Sequence, residues 1–303
     1  MAAAQALARM STGIPGLDPL AGGGVIPRRT YVVSGAPGSG KTLFAMQFLM
    51  EGLRDKKKVL MVTLDEPPNE LRANFEGFGF DVRRIRVLDA IPDISGYDLT
   101  MVKDVASVRQ TTYLGDVSDI IRKTPEFNPL DVSLYSLQST LKQEVAKNQY
   151  ERVVIDSITA LIYFGLKGED ERASIQSFMR FLGELNATVL LTVESTTLSA
   201  YDPHVFLSRG DIRLHKWWER GVLKRAVSVE KMKGSEFDDL PREMEIDSQG
   251  LKVSVDRKVL VPVAETVDRL SSKASGGASA SKGGSPGTGK AKDINPHLKR
   301  DMG

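Results

Sequence analysis

Two hydrophobic periods alternate along the first 265 residues. Short apolar runs rich in Val, Ile and Leu predict buried strands, and longer stretches with an apolar residue every three or four positions predict helices. Regular alternation of the two is typical of βαβ units around a parallel sheet. The predicted strands cover 31–34, 59–64, 85–88, 153–156 and 189–193, and the predicted helices cover 41–53, 69–78, 134–148 and 173–185.

The pattern changes beyond residue 210. Segments 211–216, 225–231 and 242–246 alternate apolar and polar residues with no helical stretch between them. They predict antiparallel strands added to one edge of the sheet. The expected fold class is therefore α/β, with a mostly parallel central sheet flanked by helices and an antiparallel C-terminal edge. No internal repeat is visible, so residues 1–265 are expected to form one domain.

Residues 266–303 are expected to form a disordered tail. From Ser271 onward the chain consists mainly of Gly, Ser, Ala and Lys, which bury too little apolar surface to offset the entropy of ordering. Segment 271–303 carries six Lys or Arg residues against two Asp residues, so the rest of the chain has a net charge of −2 out of a total of +2. A slightly acidic body disfavours a dedicated DNA-binding protein.

Composition narrows the class of protein further. The chain is 41% hydrophobic and 26% charged, which is ordinary for a globular protein, and it has no cysteine. No apolar run approaches the ~18 residues that a membrane span requires. Residues 1–10 lack the apolar core of a secretion signal. These features predict a cytoplasmic protein without disulfides or membrane spans.

Two stretches read G-x-x-x-x-G-K, at 35–41 and 284–290. A phosphate loop needs a strand before it, a helix after it, and a Ser or Thr after the Lys to ligate Mg²⁺. The second string lies among Gly, Ser and Lys residues, and Ala291 follows it, so we interpret it as a coincidence. The first string meets all three conditions. It predicts a nucleotide-binding loop made of Gly35, Ala36, Pro37, Gly38, Ser39, Gly40, Lys41, Thr42 and Leu43.

Within this loop, Lys41 is predicted to reach the β- and γ-phosphates and Thr42 to hold Mg²⁺. A second metal ligand is predicted at Asp156, which ends the apolar run R-V-V-I-D at 152–156. The carboxyl ends of parallel strands lie at the ligand-binding edge of an open α/β sheet. Asp156 is therefore the expected partner of Thr42, although strand-ending Asp residues also cap turns.

A pair of carboxylates, Asp65 and Glu66, follows the apolar strand at 59–64 and precedes Pro67 and Pro68. The prolines stop the strand, which fixes the pair at the same edge. One of the two could orient and deprotonate an attacking water. The alternative is that they cap the helix that follows.

At this point the motifs resemble a known family. The string T-G-I-P-G-L-D at 12–18, G-G-G-V-I-P at 22–27, the phosphate loop, the carboxylate pair, the strand at 152–157 and R-A-V-S-V-E-K-M-K-G-S at 225–235 are together similar to KaiC-like ATPases of the RecA superfamily. The resemblance covers residues 11–255. It implies a RecA-like fold, ATP and Mg²⁺ as ligands, and ring-shaped oligomers, often hexamers, with ATP bound between neighbouring subunits.

By the same resemblance, Lys231 and Lys233 would reach the γ-phosphate bound by the adjacent subunit. This chain departs from the family at Lys233, where Arg is usual, and at Asp65, where Glu is usual. The Lys ammonium is a point charge, whereas the planar Arg guanidinium can donate two parallel hydrogen bonds. The Asp side chain is one methylene shorter than that of Glu. The resemblance therefore implies a trans contact of looser geometry and slow turnover, with Glu66 able to share the role of base. The alternative is that both lysines are solvated on an edge strand.

Three functions remain open from the sequence. The first is an ATP-binding, slowly hydrolysing oligomeric switch or scaffold with an unidentified protein partner. The second is a DNA-acting recombinase of the same superfamily, disfavoured because the loop at 195–209 has one Arg and no Lys. The third is a regulatory protein that binds ATP without turnover. Thr192 or Glu194, at the end of the strand at 189–193, could sense the γ-phosphate.

Overall fold

The computed structural model describes residues 7–91, 111–116, 134–165, 171–195 and 203–262. Within these residues one ten-stranded sheet runs in the order β10-β9-β8-β7-β1-β6-β5-β2-β3-β4. The strands are β1 (Thr30–Gly35), β2 (Val59–Thr63), β3 (Arg86–Asp89), β4 (Thr112–Tyr113), β5 (Arg152–Asp156), β6 (Thr188–Glu194), β7 (Gly210–Glu219), β8 (Val222–Met232), β9 (Arg242–Asp247) and β10 (Gly250–Lys258).

Seven helices accompany these strands within the described ranges. They are α1 (Leu17–Leu20), α2 (Lys41–Arg54), α3 (Pro68–Glu76), α4 (Leu134–Asn148), α5 (Ile158–Gly165), α6 (Glu171–Glu184) and α7 (Pro203–Leu207). The predicted fold class is confirmed, since six neighbouring strands are parallel and the C-terminal strands are antiparallel. No helix in this described part is long and apolar enough to cross a membrane.

The antiparallel region begins one strand later than the sequence pattern indicated. Strand β7 pairs parallel with β1 and antiparallel with β8. The residue before β7 lies at the start of β1, where the Arg209 N–H donates to the Thr30 carbonyl at 2.7 Å. Strand β7 therefore starts at the same edge as β1 and runs in the same direction.

The apolar core divides between the two faces of the sheet, as period-two alternation along a buried strand requires. On β1, Val33 belongs to the cluster that packs under α2 with Phe44 and Phe48. Its neighbour Val32 belongs to the cluster on the other face, where α4 and α6 contribute Leu141 and Phe178. The central strands are buried on both faces, and this explains their continuous apolar sequences.

The N-terminal glycine-rich motif is shaped by Asp18. Its carboxylate accepts hydrogen bonds from the Thr12 amide (2.8 Å) and the Thr12 hydroxyl (2.5 Å). Gly16, at φ 83°, lies so close to β10 that a Cβ there would be 2.0 Å from the Val253 carbonyl oxygen. The motif thus joins the start of the chain to β10, a strand that the sequence reading missed.

Strand β4 at the far edge and helix α5 were also not predicted. The predicted disordered tail at 266–303 and the second G-x-x-x-x-G-K string lie outside the described residues.

Arg152 is the largest fully buried side chain in the described core. Its guanidinium donates to the carbonyls of Ser11 and Phe48 at 2.9 Å, and it approaches Asp55 at 3.3 Å. It also lies over the Phe48 ring, 4.6 Å from the centroid. One side chain therefore joins the N-terminal motif, α2 and β5.

We expect Arg152→Ala to lower the free energy of unfolding by about 3 kcal/mol, because it leaves buried carbonyls without donors and removes packing. Urea denaturation of the variant measures this loss. Arg54→Ala is the matched control, since Arg54 is exposed and its ion pair among the described residues is with Glu51 on the same helix. A loss below ~1 kcal/mol, the range of an exposed ion pair, would contradict the structural role of Arg152.

Candidate active site

The phosphate loop lies between β1 and α2, as its sequence predicts. The loop turns through two glycines with positive φ, Gly38 at 71° and Gly40 at 106°. A Cβ on Gly35 would lie 2.5 Å from the Leu214 carbonyl oxygen, so this position also excludes other residues. The loop therefore has the open, side-chain-free backbone from which N–H groups can bind an anion at a helix N-terminus.

The remaining loop residues differ in what they can offer. The Ser39 hydroxyl is buried and has no hydrogen-bond partner among the described residues. Leu43 is buried in the core, so only its backbone could face a nucleotide. Ala36 accepts a hydrogen bond from the Ser39 amide at 3.1 Å, which closes the turn around Pro37.

Lys41 is buried at the centre of the loop. Its ammonium donates to the carbonyls of Gly35 (3.0 Å) and Ala36 (3.2 Å) and lies 3.6 Å from the Glu194 carboxylate. Burial lowers the pKa of Lys41, and the charges of Glu194 and Asp156 partly oppose this. A phosphate placed on the loop would meet this ammonium directly.

Asp156 ends β5 beside the loop, where sequence reasoning placed it. The hydroxyl of Thr192, on neighbouring β6, donates to its carboxylate. Burial raises the pKa of Asp156, while hydrogen bonds from Thr192 and Thr42 oppose that rise. The two predicted metal ligands, Thr42 and Asp156, are therefore in contact. Thr192, the candidate phosphate sensor of the sequence, also orients Asp156.

The structure separates the two members of the carboxylate pair. Asp65 accepts a hydrogen bond from the Ser157 hydroxyl at 2.5 Å, next to Asp156. Glu66 turns to α3, where the Asn74 amide donates to its carboxylate. Burial raises the pKa of both carboxyl groups. Of the two, Asp65 has the direct link to the Asp156 strand end.

Sequence reasoning missed Lys216. The Lys216 ammonium, on β7, donates to the Pro37 carbonyl of the phosphate loop. Its position follows from the parallel pairing of β7 with β1, which brings the end of β7 next to the loop. No local pattern marks it, because Lys216 looks like any polar residue on an alternating strand.

Lys231 and Lys233, the two lysines predicted to act in trans, lie at the edge of the sheet where the parallel strands begin. The phosphate loop lies at the edge where these strands end. Met232, between Lys231 and Lys233, pairs with Gly210, which is level with Tyr31 at the start of β1. That level is roughly 13 Å before Gly35 along the strand direction. Lys231 and Lys233 therefore do not meet the phosphate loop of their own chain.

The surroundings of these lysines are cationic. The Lys231 ammonium donates to the carbonyls of Val205 (2.8 Å) and Phe206 (2.9 Å), and burial lowers the pKa of Lys231 to about 8. Lys233 helps to line a cleft of about 860 Å³ together with Arg28, Arg29, Arg180 and Arg209. Such a cluster suits contact with an anion supplied from outside the chain.

Asp211 is a buried carboxyl group beside Lys231 in the β7–β8 ladder. It accepts a hydrogen bond from the Ser34 hydroxyl at 3.1 Å, and burial raises its pKa from 3.8 to about 6. A raised carboxyl pKa means that the folded state binds the proton more tightly than the unfolded state. The resulting stabilisation is present below pH 3.8 and is lost as the pH rises through about 6.

We therefore expect Asp211→Asn to raise the free energy of unfolding at pH 8 by about 3 kcal/mol, following the 1.36 kcal/mol of each pKa unit. The gain should disappear near pH 4, where the native carboxyl group is already protonated. Urea denaturation of both proteins at the two pH values measures the difference. An equal effect of the substitution at both pH values would contradict the buried, proton-binding carboxyl group.

These groups fit a nucleotide with Mg²⁺. The glycine backbone, the buried Ser39 hydroxyl and the Lys41 ammonium can take phosphate oxygens, and the adjacent Thr42 and Asp156 oxygens are hard ligands of the kind that Mg²⁺ prefers.

Comparison with known proteins agrees with this geometry. The family model described as "ATPase: KaiC" matches residues 10–258. The chain is 31% identical over 268 residues to a UPF0273 protein of Methanopyrus kandleri, which covers 83% of this chain and 94% of the relative. The chain therefore belongs to the KaiC family of ATPases, within the RecA superfamily.

A further relative and a solved structure are also similar to this chain. The circadian clock oscillator protein KaiC of Parathermosynechococcus lividus is 25% identical, and the match covers 96% of this chain but 53% of that protein. This chain therefore spans about half of the clock protein. The crystal structure of a KaiC-like protein of Pyrococcus horikoshii has the same fold, with a TM-score of 0.64 and 24% identity, over 82% of this chain and all of that one.

Proposed function

We propose that this protein binds and slowly hydrolyses ATP, and that it acts as an oligomeric switch or scaffold for a protein partner in the cytoplasm. ATP would lie between neighbouring subunits of a ring, with six subunits as the expected number. One observation carries the proposal. The ends of four adjacent strands bring Lys41, Asp65, Asp156 and Glu194 around a phosphate loop that has the required glycine geometry.

Each residue has a distinct task in this proposal. The loop N–H groups and Lys41 bind the phosphates and hold the γ-phosphate in line with the attacking water. Lys216 adds a second cation from the same chain. Mg²⁺, held by Thr42 and Asp156, would supply positive charge to the phosphate oxygens.

Asp65 is the proposed general base. Burial raises the pKa of Asp65 above its usual value, and this brings its proton affinity closer to that of a useful base at neutral pH. Ser157 fixes the carboxylate through hydrogen bonds from its hydroxyl and its backbone, and the attacking water would have to reach the same carboxylate. Because Asp is short, that water must lie close to the strand ends, which is consistent with slow turnover.

The second half of the site comes from another copy of the chain. Lys231 and Lys233 lie at the sheet edge opposite the phosphate loop, so they can complete a site only in trans. The surrounding arginines make that edge complementary to a bound triphosphate. A homo-oligomer with head-to-tail contacts satisfies both edges, and such contacts form a ring when the rotation between neighbouring subunits closes.

The test is ATP hydrolysis by wild type and by Asp65→Asn. We expect Asp65→Asn to lower kcat by about 100-fold, the size of a lost general base, while ATP affinity stays within about threefold. Glu66→Gln is the control and should keep most of the activity, because Glu66 faces Asn74. Native mass spectrometry with and without ATP tests assembly in the same samples.

The second candidate function is ATP-controlled assembly without turnover. The short Asp65 side chain and its hydrogen bond to Ser157 favour it. If wild type and Asp65→Asn both assemble with ATP and neither hydrolyses it, this candidate replaces the first.

A further inference from the structure

A second cationic cleft lies at the edge where the parallel strands begin, beside β2 and β3. Its volume is about 570 Å³, within the ~300–1,000 Å³ typical of small-molecule sites. Six cationic side chains line it, against one carboxylate from Asp116. The six are Lys56, Lys57, Lys58, Arg83, Arg84 and Arg86.

Backbone geometry holds the lysines in place. Helix α2 ends in a double hydrogen bond, with the Lys56 amide donating to Leu53 (3.0 Å) and the Lys57 amide donating to Gly52 (2.8 Å). Lys56 takes the left-handed conformation, at φ 60°, that this helix ending requires. The helix dipole explains one cation at a helix C-terminus. It does not explain three consecutive lysines that line one cleft together with three arginines.

The arginines come from a separate part of the chain that lines the same cleft as the lysines. The turn Val82–Arg84 leads into β3, and the Leu114 amide donates to the Ile85 carbonyl at 2.8 Å. A Cβ on Gly115 would lie 2.8 Å from the Arg83 Cβ, so the backbone at 115 is in close contact with this turn.

Only part of this positive charge is neutralised within the described residues. Lys57 pairs with Glu151 and Arg83 pairs with Asp81, both at 3.0 Å. Lys56, Lys58 and Arg84 have no ion-pair partner in the part of the chain that the structure describes. Like charges gathered in one cleft repel each other, and a bound anion would relieve that repulsion.

The cleft also has an aromatic wall. The Arg86 guanidinium lies over one face of the Tyr113 ring, 4.5 Å from its centroid, and Tyr113 is 46% exposed. A planar group can stack on such an exposed ring, while phosphates contact the lysines and Arg84.

We propose that this cleft binds a nucleoside polyphosphate, with its phosphates among Lys56, Lys58 and Arg84 and its base stacked on Tyr113. The site is separate from the phosphate loop, which lies at the other edge of the sheet. It is also separate from Lys231 and Lys233, because four strands lie between β8 and β2, a distance of roughly 24 Å. The proposal does not depend on ATP hydrolysis.

The test uses the full-length Lys41→Ala protein, in which the phosphate loop has lost its central, buried cation. Titration with a fluorescent N-methylanthraniloyl-ADP should show saturable binding of one molecule per chain. Adding Lys58→Glu and Arg84→Glu should weaken that binding at least about tenfold, because two charged contacts become repulsive. The matched control adds Lys258→Glu and Arg220→Glu, which are exposed elsewhere and should leave binding unchanged.

A third variant, Tyr113→Ala, separates phosphate from base recognition. It should weaken binding of the ADP analogue about tenfold, in line with the loss of one stacking contact. Inorganic tripolyphosphate has no base to stack, so its affinity for the cleft should be the same in the protein with Tyr113 and in the Tyr113→Ala variant. Thermal denaturation confirms that each variant is folded. Binding that is absent in Lys41→Ala, or that survives Lys58→Glu with Arg84→Glu, would overturn the proposal.

Discussion

The Lys41→Ala variant is expected to hydrolyse ATP about 1,000-fold more slowly than wild type, because it loses the one buried cation at the centre of the phosphate loop. The Lys41 ammonium contacts the loop carbonyls and faces Glu194 and Asp156, so alanine removes the charge that balances these carboxylates and would bind phosphate. Phosphate release under saturating ATP measures the rate. ATP affinity should fall as well, since the same ammonium contacts bound phosphates.

The control for this variant is Lys258→Ala, which removes an exposed lysine on β10 far from the loop. It should keep wild-type activity. If Lys41→Ala keeps more than about a tenth of the wild-type rate, Lys41 does not make a central contact with the phosphates. The phosphate loop would then not be the hydrolytic site.

The Lys231→Ala/Lys233→Ala double variant is the second large effect. We expect about a 1,000-fold loss of kcat, comparable to removing a trans-acting cation from other phosphate-transfer sites. Binding of ATP should change far less, because the phosphate loop of the same chain is intact. A large loss of kcat with a small change in ATP affinity indicates a lost trans contact, whereas unfolding would abolish both. A melting temperature near that of wild type would show that the double variant is folded.

Sequence patterns were sufficient for the parts of the site that depend on neighbouring residues. The run from β1 through the phosphate loop to α2 is local, and its glycines, Lys41 and Thr42 follow from chemistry at fixed spacing. Asp156 was also predictable, because a buried strand ending in Asp delivers its carboxylate to a known edge. Helix α4 has the predicted bounds, 134–148, since its apolar period is regular.

The remaining features depend on which strands become neighbours, and no local pattern records that. The parallel pairing of β7 with β1 places Lys216 on the phosphate loop, and it could not be read from alternation alone. The different directions of Asp65 and Glu66 depend on Ser157, which is 92 positions from Asp65, and on how α3 packs, because Asn74 is only eight positions from Glu66. Strand β10 did carry a signal, the alternation of buried Leu251 and Val253, that the sequence reading did not use.

The most direct test of the shared site is a mixing experiment. Lys41→Ala subunits keep the trans lysines, and Lys231→Ala/Lys233→Ala subunits keep the phosphate loop. If sites form between neighbours, an equal mixture assembled at random should regain about a quarter of wild-type hydrolysis, because about one interface in four has both halves intact. Two inactive proteins that stay inactive after mixing and verified co-assembly would contradict a site shared between subunits.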